Sequence, residues 1–279
     1  MPIAKSIDTL IPDIQRLFGE GAVLDAAHLD RFSKELAEGF ANRFKEYGEE
    51  RKQYLRMSNL GKPLRQLWFE IKSGLKAEPI PPDAKLKFIY GDVLEDLLLL
   101  LAISAGHDVT DIQKKVEVDG VQGSIDCVID GILVDIKSTS TRSFSKFQDG
   151  TLRLDDPFGY VAQLAGYSES LSNLDGAFLA INKELGHICL LKFSGEDLKH
   201  YKIRERIKLV REMLSKEEMP HCCCEPVPEG KSGNMKLPVL GSYCGWKKYC
   251  YPELRTYTYS NGPVYLTKVV REPKVEEKK

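Results

Sequence analysis

Residues 124–140 read SIDCVIDGILVDIKSTS. Asp130-Gly131 divides them into two short apolar runs, and an Asp-Gly pair between two such runs is a strong local signal for a two-residue β-hairpin. The hairpin marks this part of the chain as sheet, and it also carries a chemical problem. Asp126, Asp135 and Lys137 stand among residues that belong in a core. Residues i and i+2 of a strand project from one face, so Asp135 and Lys137 share a face while Val134 and Ile136 point into the core. The hairpin brings Asp126 close to Asp135 across the ladder. Two carboxylates in one partly buried place repel each other, and a positive charge has to compensate. Two readings stay open from these residues alone. In one, Asp135 and Lys137 form an internal ion pair and Asp126 lies at the strand edge. In the other, the carboxylates hold Mg²⁺, which binds through one or two carboxylates, keeps several waters and leaves room for phosphate oxygens. A metal-bound water gives up a proton readily, and Lys137 would orient it or stabilise charge building up on phosphorus. The chemistry implied is phosphodiester hydrolysis.

Around the hairpin the hydrophobic period changes twice. Residues 6–56 space their apolar residues by three and four, as helices do. A further helical segment starts near Ser58, with Gly61 and Pro63 as punctuation, and residues 76–83 are a Pro-rich break. Residues 86–105 form a strongly apolar helix ended by Gly106. The pattern over 109–140 is a β-meander with Asp-Gly turns at 119–120 and 130–131. Residues 141–156 read as a loop, 157–172 as a helix, 176–193 as a second hairpin, 195–216 as a long helix and the charged tail after Lys268 as frayed. The expectation is an α/β fold with a central mixed β-sheet flanked by helices. Its parts are an N-terminal helical region at 1–84, a core at 85–216 and a Cys-containing C-terminal segment at 217–279 that packs on the core.

The whole-chain totals are those of an ordinary globular protein, with 279 residues, 42% hydrophobic and 29% charged. A net charge of −1 means that a nucleic-acid partner needs basic residues gathered on one face. The Leu97–Ala102 apolar run is far shorter than the roughly 20 residues of a membrane span, and the first residues lack the apolar core of a secretory signal. The expected setting is cytoplasmic and reducing, with no membrane partner, where the seven cysteines are thiols or metal ligands rather than disulfides.

Two helices add to the hairpin. Gly91 and Glu95 lie four apart on one helix face, and Glu95 interrupts an apolar stripe. Gln163 and Tyr167 are again four apart, on a face of small and apolar residues. Each alone reads as a solvated acid or a satisfied helix–sheet contact. Together, in this chain order, they resemble the RecB-like branch of the PD-(D/E)xK nuclease superfamily, whose pattern is G-x-x-x-[HE], G-x-x-D, [DE]-x-K and Q-x-x-x-Y. Here it stands as GDVLE (91–95), GSID (123–126), DIK (135–137) and QLAGY (163–167). The resemblance covers about residues 85–200 and implies a restriction-endonuclease-like core. It also implies that Glu95, Asp126 and Asp135, with the Ile136 carbonyl, hold one or two Mg²⁺ or Mn²⁺ ions. Lys137 then assists the attacking water, and Gln163 and Tyr167 steady the site and the DNA backbone. The family often has His where this chain has Glu95, and Glu shifts the site toward all-oxygen ligation.

Five of the seven cysteines fall in HCCCEP (221–226) and GSYCGWKKYC (241–250). Some RecB-like nucleases, of the Cas4 and AddB types, close the domain with an iron–sulfur cluster on a C-x2-C-x5-C run. Cys244 and Cys250 have the x5 spacing, but the first position of the run is Gly241. Cys222, Cys223 or Cys224 would have to supply the missing thiolates. A [4Fe–4S] cluster, a zinc site and free thiols all stay open. Cys127 and Cys189 sit in apolar strands and read as small core residues. For DNA, which the resemblance implies is entered from a free end, candidate contacts are Arg142, Phe144, Lys146 and Phe147, and Arg51, Lys52, Arg56, Lys62 and Arg65, by stacking and phosphate pairing. Most such residues are elsewhere a solvated helix face, and Trp68 is core. Segments around 58–68, 231–235 and 259–275 also resemble tailed-phage exonucleases of the same superfamily, which implies a place in phage DNA replication, recombination or degradation.

Overall fold

In the computed structural model the residues described are 5–19, 23–47 and 53–278. The chain divides into two compact units, each drawn from separated segments: residues 1–52, 56–61 and 81–207 form the first, and 53–55, 62–80 and 208–279 the second. In chain order the helices begin with α1 (Leu10–Gly19), α2 (Ala26–Tyr47), α3 (Met57–Leu60), α4 (Leu64–Ile71) and α5 (Pro82–Ser104). The α4 stretch belongs to the second unit. Pro82 opens α5 at its first helical position, where its ring pre-sets φ and the missing N–H costs nothing. Leu98 to Ala102 are all buried, so this end of α5 is sheathed all round by protein.

The strands follow as β1 (Val109–Thr110), β2 (Lys115–Val118), β3 (Val121–Ser124), β4 (Cys127–Ile129) and β5 (Ile132–Thr139). After them come α6 (Thr141–Gln148), α7 (Tyr160–Ser170), β6 (Gly176–Asn182), β7 (Ile188–Phe193), α8 (Gly195–Lys199) and α9 (Ile203–Ser215). The main sheet has the order β1-β4-β5-β6-β7. β5 and β6 run parallel and the other pairs are antiparallel, so the sheet is mixed. The β4–β5 turn has Asp130 at φ 49° and Gly131 at φ 82°, the positive pair that a two-residue hairpin needs. β2 and β3 form a two-stranded ribbon outside the main sheet. The expected continuous meander is therefore two hairpins in two different sheets.

One face of the sheet packs on α1 and α5. Val134, Ile136, Leu179 and Ile181 meet Leu10, Ile14, Leu98 and Leu101 in one buried cluster. The other face carries Phe178, edge-on to Phe147 at 5.5 Å and to Phe193 at 5.9 Å. Helices on both faces of a mixed sheet match the expected fold class. Two further local expectations fail in the first unit. Residues 141–156 are not a plain loop, because Phe144 and Phe147, three apart, drop onto the sheet and carry α6 with them. The helix expected over 195–216 breaks at Lys202, which has φ 47°, a value no helix interior tolerates.

The second unit adds β8 (Val227–Pro228), β9 (Met235–Lys236), α10 (Val239–Ser242), α11 (Lys247–Cys250), β10 (Arg255–Tyr259), β11 (Gly262–Lys268) and β12 (Glu277–Lys278). Its strands make an antiparallel sheet of order β12-β10-β11-β9-β8. The tail expected to fray instead pairs with β10. Arg255 holds it there through Glu272 at 2.8 Å and Glu277 at 2.5 Å. Among the described residues no helix is long and apolar enough to cross a membrane.

Candidate active site

The site forms where β4 and β5 part. Their ladder ends at the pair Cys127 and Val134, one residue short of Asp126 and Asp135. Beyond that pair Ile136 has no strand partner on the β4 side, and its N–H donates to Asp126 Oδ2 at 2.7 Å. The N–H and C=O of one strand residue open on the same edge, so the Ile136 carbonyl is turned toward the same place. On the opposite strand edge β6 continues the sheet, with Asp135 paired to Phe178 and Lys137 to Ala180. Asp135 therefore lies on the α7 face, buried to 1% exposure, with the Lys137 ammonium against its Oδ2. Gln163 Nε2 on α7 reaches Asp135 Oδ1 at 3.3 Å and the Tyr167 hydroxyl at 3.1 Å. Lys137 also sits 5.2 Å above the Tyr160 ring.

Of the two motif glycines, space explains Gly123 and does not require Gly91. A Cβ on Gly123 would fall 2.6 Å from the Tyr167 ring and 2.8 Å from Met57 Cβ, so only glycine lets the ribbon close on α7. A Cβ on Gly91 would be in ordinary contact, 3.4 Å from the Ser138 hydroxyl. The structure thus brings Glu95, Asp126, Asp135, Ile136, Lys137, Gln163 and Tyr167 to one place, from α5, the β4 edge, β5 and α7.

The electrostatics are those of crowded carboxylates. Burial raises Glu95 to about 8, with Asp126 and Asp135 adding repulsion that Lys137 only partly offsets. Asp126 is raised to about 7, by burial first and then by Asp135. Burial also raises Asp135 against the pull of Lys137. Burial alone would lower Lys137, but Asp135 and Asp126 outweigh it and hold the ammonium charged. Tyr167 is pushed up to about 12, chiefly by burial. Lys137 touches Asp135 Oδ2 as a buried ion pair. Three carboxyl groups and one strand carbonyl are hard oxygen donors, the kind that suits Mg²⁺ or Mn²⁺. Among the described residues no three His, Cys, Asp or Glu side chains are already drawn together as a finished metal site. Each carboxylate is engaged by a protein donor instead: Asp126 by the Ile136 N–H, Asp135 by Lys137 and Gln163, and Glu95 by Gln113 at 2.6 Å. Gln113 and Tyr160 escaped the sequence reading, since nothing in the spacing of DIQKK or PFGY marks them.

The cysteine group lies wholly within the second unit. Cys222, Cys223, Cys224, Cys244 and Cys250 line one small pocket, together with Lys247 and Tyr251. Cys223 and Cys224 Sγ are 3.5 Å apart, and Arg65 Nε donates to Cys250 Sγ at 3.2 Å. Cys223 is lowered to about 7 by its hydrogen bond with Cys224, and the same contact with Cys223 raises Cys224. Burial raises Cys244 and Cys250. The soft donors suit a thiophilic ion, with Arg65 and Lys247 as cations beside them. Cys127 and Cys189 are buried strand residues, as expected.

The expected DNA contacts are largely spent on the fold. Phe144 and Phe147 are 4% and 2% exposed and cannot stack on bases. Lys146 pairs with Asp155 at 2.5 Å and Lys62 with Glu70 at 2.7 Å, while Arg65 serves the cysteine cavity. Arg56 buries its Nε and Trp68 its Nε1. Arg142 remains exposed on α6. Arg51 and Lys52 lie outside the described residues.

No family model matches the chain, and no curated protein matches its sequence. Among solved structures it is similar to LHK-Exo in complex with dAMP, with a TM-score of 0.44 and 17% identity over 58% of this chain and 87% of that one. The alkaline exonuclease LHK-Exo from Laribacter hongkongensis gives a TM-score of 0.40 and 13% identity, over 57% and 87% of the two chains. A phage-related exonuclease from Haemophilus somnus 129PT gives 0.38 and 13%, over 59% and 94%.

Proposed function

We propose that this chain is a Mg²⁺- or Mn²⁺-dependent deoxyribonuclease of the RecB-like PD-(D/E)xK kind that degrades DNA from an end. The observation that carries this reading is the buried Asp135, paired with Lys137 and crowded by Asp126 and Glu95 at the parting of two strands. A fold does not crowd three carboxyl groups, one buried and two half-buried, around one ammonium for stability, because taking charges out of water costs more than such a pair returns. A cation held by Glu95, Asp126, Asp135 and the Ile136 carbonyl supplies the missing positive charge and makes a bound water more acidic. Lys137 then donates to the oxygen on which negative charge develops. Gln163 holds the Asp135 carboxylate in register, and Tyr167 braces Gln163 from behind. On its resemblance to tailed-phage exonucleases, the protein's place is phage DNA replication, recombination or degradation, in the host cytoplasm. We further assign the cysteine cavity a structural ion, zinc or a [4Fe–4S] cluster, bound by Cys244 and Cys250 with thiolates of 222–224.

The test is incubation of end-labelled linear and covalently closed circular DNA with Mg²⁺, Mn²⁺ or a chelator. Linear DNA should be shortened from its ends only with the metal present, and the circle should survive. Cutting of the circle would replace the exonuclease with a structure-specific endonuclease. DNA binding that survives Lys137→Ala, with no metal-dependent cleavage by the unaltered protein, would make this a recombination module with a vestigial site.

A further inference from the structure

The chain Asp111-Ile112-Gln113 enters the site by an unusual route. Asp111 and Gln113 both have φ 53°, in the left-handed region that costs a non-glycine residue free energy. Nothing in hairpin geometry requires this, since the segment is not a two-residue turn between paired strands. What the conformation achieves is a set of contacts. The Gln113 backbone N–H donates to the Asp126 carbonyl at 3.0 Å. Its side-chain Nε2 donates to Glu95 Oε1 at 2.6 Å. The Ser124 hydroxyl lies 3.0 Å from the Gln113 carbonyl and 3.1 Å from its Oε1. With Oε1 toward the Ser124 hydroxyl, the NH₂ end of the amide faces Glu95. One residue therefore grips two of the proposed ligands, Asp126 by its main chain and Glu95 by its side chain, across the gap between β3 and α5. Glu95 Oε2 accepts no hydrogen bond among the described residues, so Gln113 occupies one carboxylate oxygen and leaves the other.

We infer that Gln113 is the positioning residue for the metal site: it fixes the orientation of the Glu95 carboxylate relative to Asp126, and Ser124 fixes Gln113. This rests on the proposed metal-dependent reading. The amide does not touch substrate, and its effect runs through Glu95. Outer-shell partners of this kind change metal affinity by about 10- to 100-fold when removed.

The experiment measures Mn²⁺ binding to the full chain by titration calorimetry, with no DNA present, for the wild type, Gln113→Glu and Gln113→Gly. Gln113→Glu keeps the shape and puts an acceptor against the Glu95 carboxylate. Gln113→Gly removes the amide and suits the positive φ, so loss of binding there cannot be laid to backbone strain. Ser124→Ala tests the fixing of the amide. Both Gln113 variants should bind Mn²⁺ at least 10-fold more weakly, and Ser124→Ala a few-fold more weakly, with melting temperatures near the wild type. The metal concentration for half-maximal cleavage should rise in step. Gln113 variants that bind Mn²⁺ within twofold of a binding wild type would overturn the inference and leave the nuclease reading standing. A wild type that binds no Mn²⁺ would remove that reading, and the inference with it.

Discussion

Lys137→Met separates the electrostatic account of the site from a purely structural one. Methionine keeps the length of the apolar stem and deletes the ammonium. Asp135 is 1% exposed and Lys137 19%, so the variant leaves a buried carboxyl without its counter-charge. Removing one partner of a buried pair costs about 3–5 kcal/mol. Asp135 can take up a proton, toward which burial already pushes it, so the lower end applies. A loss of about 3 kcal/mol lowers the melting temperature by roughly 6–12 °C for a domain of this size. Taking both charges away should restore most of this, because a buried pair replaced as a whole is close to neutral in stability. Asp135→Asn with Lys137→Met keeps an acceptor for Gln163 and supplies that comparison. Cleavage behaves oppositely. Loss of a donor aimed at developing charge costs about 10²–10³ in rate, and the double variant gains nothing back. The assay is a thermal melt followed by circular dichroism, paired with end-labelled DNA cleavage in Mg²⁺. A Lys137→Met protein that melts and cleaves like the wild type refutes the reasoning. So does a double variant that melts below either single one.

Asp126→Ala should abolish cleavage and also cost about 1–3 kcal/mol, since it leaves the Ile136 N–H without the carboxylate that accepts it; a melt and a cleavage gel report both. Phe147→Ala should destabilise the first unit by about 3–5 kcal/mol through the cavity it opens beside Phe178, and DNA affinity measured well below the melting temperature should not change selectively, in contrast to what a base-stacking role requires. Cys244→Ser and Cys250→Ser should each reduce the zinc or iron found by elemental analysis of anaerobically purified protein and lower its soluble yield; a stable wild type free of both metals would return these residues to plain thiols.

Much of the site was legible because its spacing is local. Asp135-x-Lys137 share a strand face, and Gln163 and Tyr167 share a helix face, by backbone periodicity alone. The Asp130-Gly131 turn carries its own stereochemistry and announces the hairpin. Failures came where the outcome depended on what a residue meets in space. Phe144 and Phe147 read equally as stacking groups in a loop or as the buried stripe of α6, and the sheet beneath them decides for the latter. The charged tail reads as frayed until Arg255 is found beside Glu272 and Glu277. Gln113 has no motif around it, and its significance is a contact with a residue 18 positions away.

What the amino-acid sequence determined by itself is the set of parts: an apolar helix bearing Glu95, a hairpin bearing Asp126, Asp135 and Lys137, a helix bearing Gln163 and Tyr167, and two clusters of cysteines. Each follows from interactions within a few residues, where periodicity and turn chemistry act. Only the tertiary structure decided that β4 and β5 part just before the two aspartates, that 62–80 joins the C-terminal segment in the second unit, and that five thiols share one cavity. Those outcomes depend on packing between segments far apart in the chain, and the free energy of such packing is not written in any local pattern.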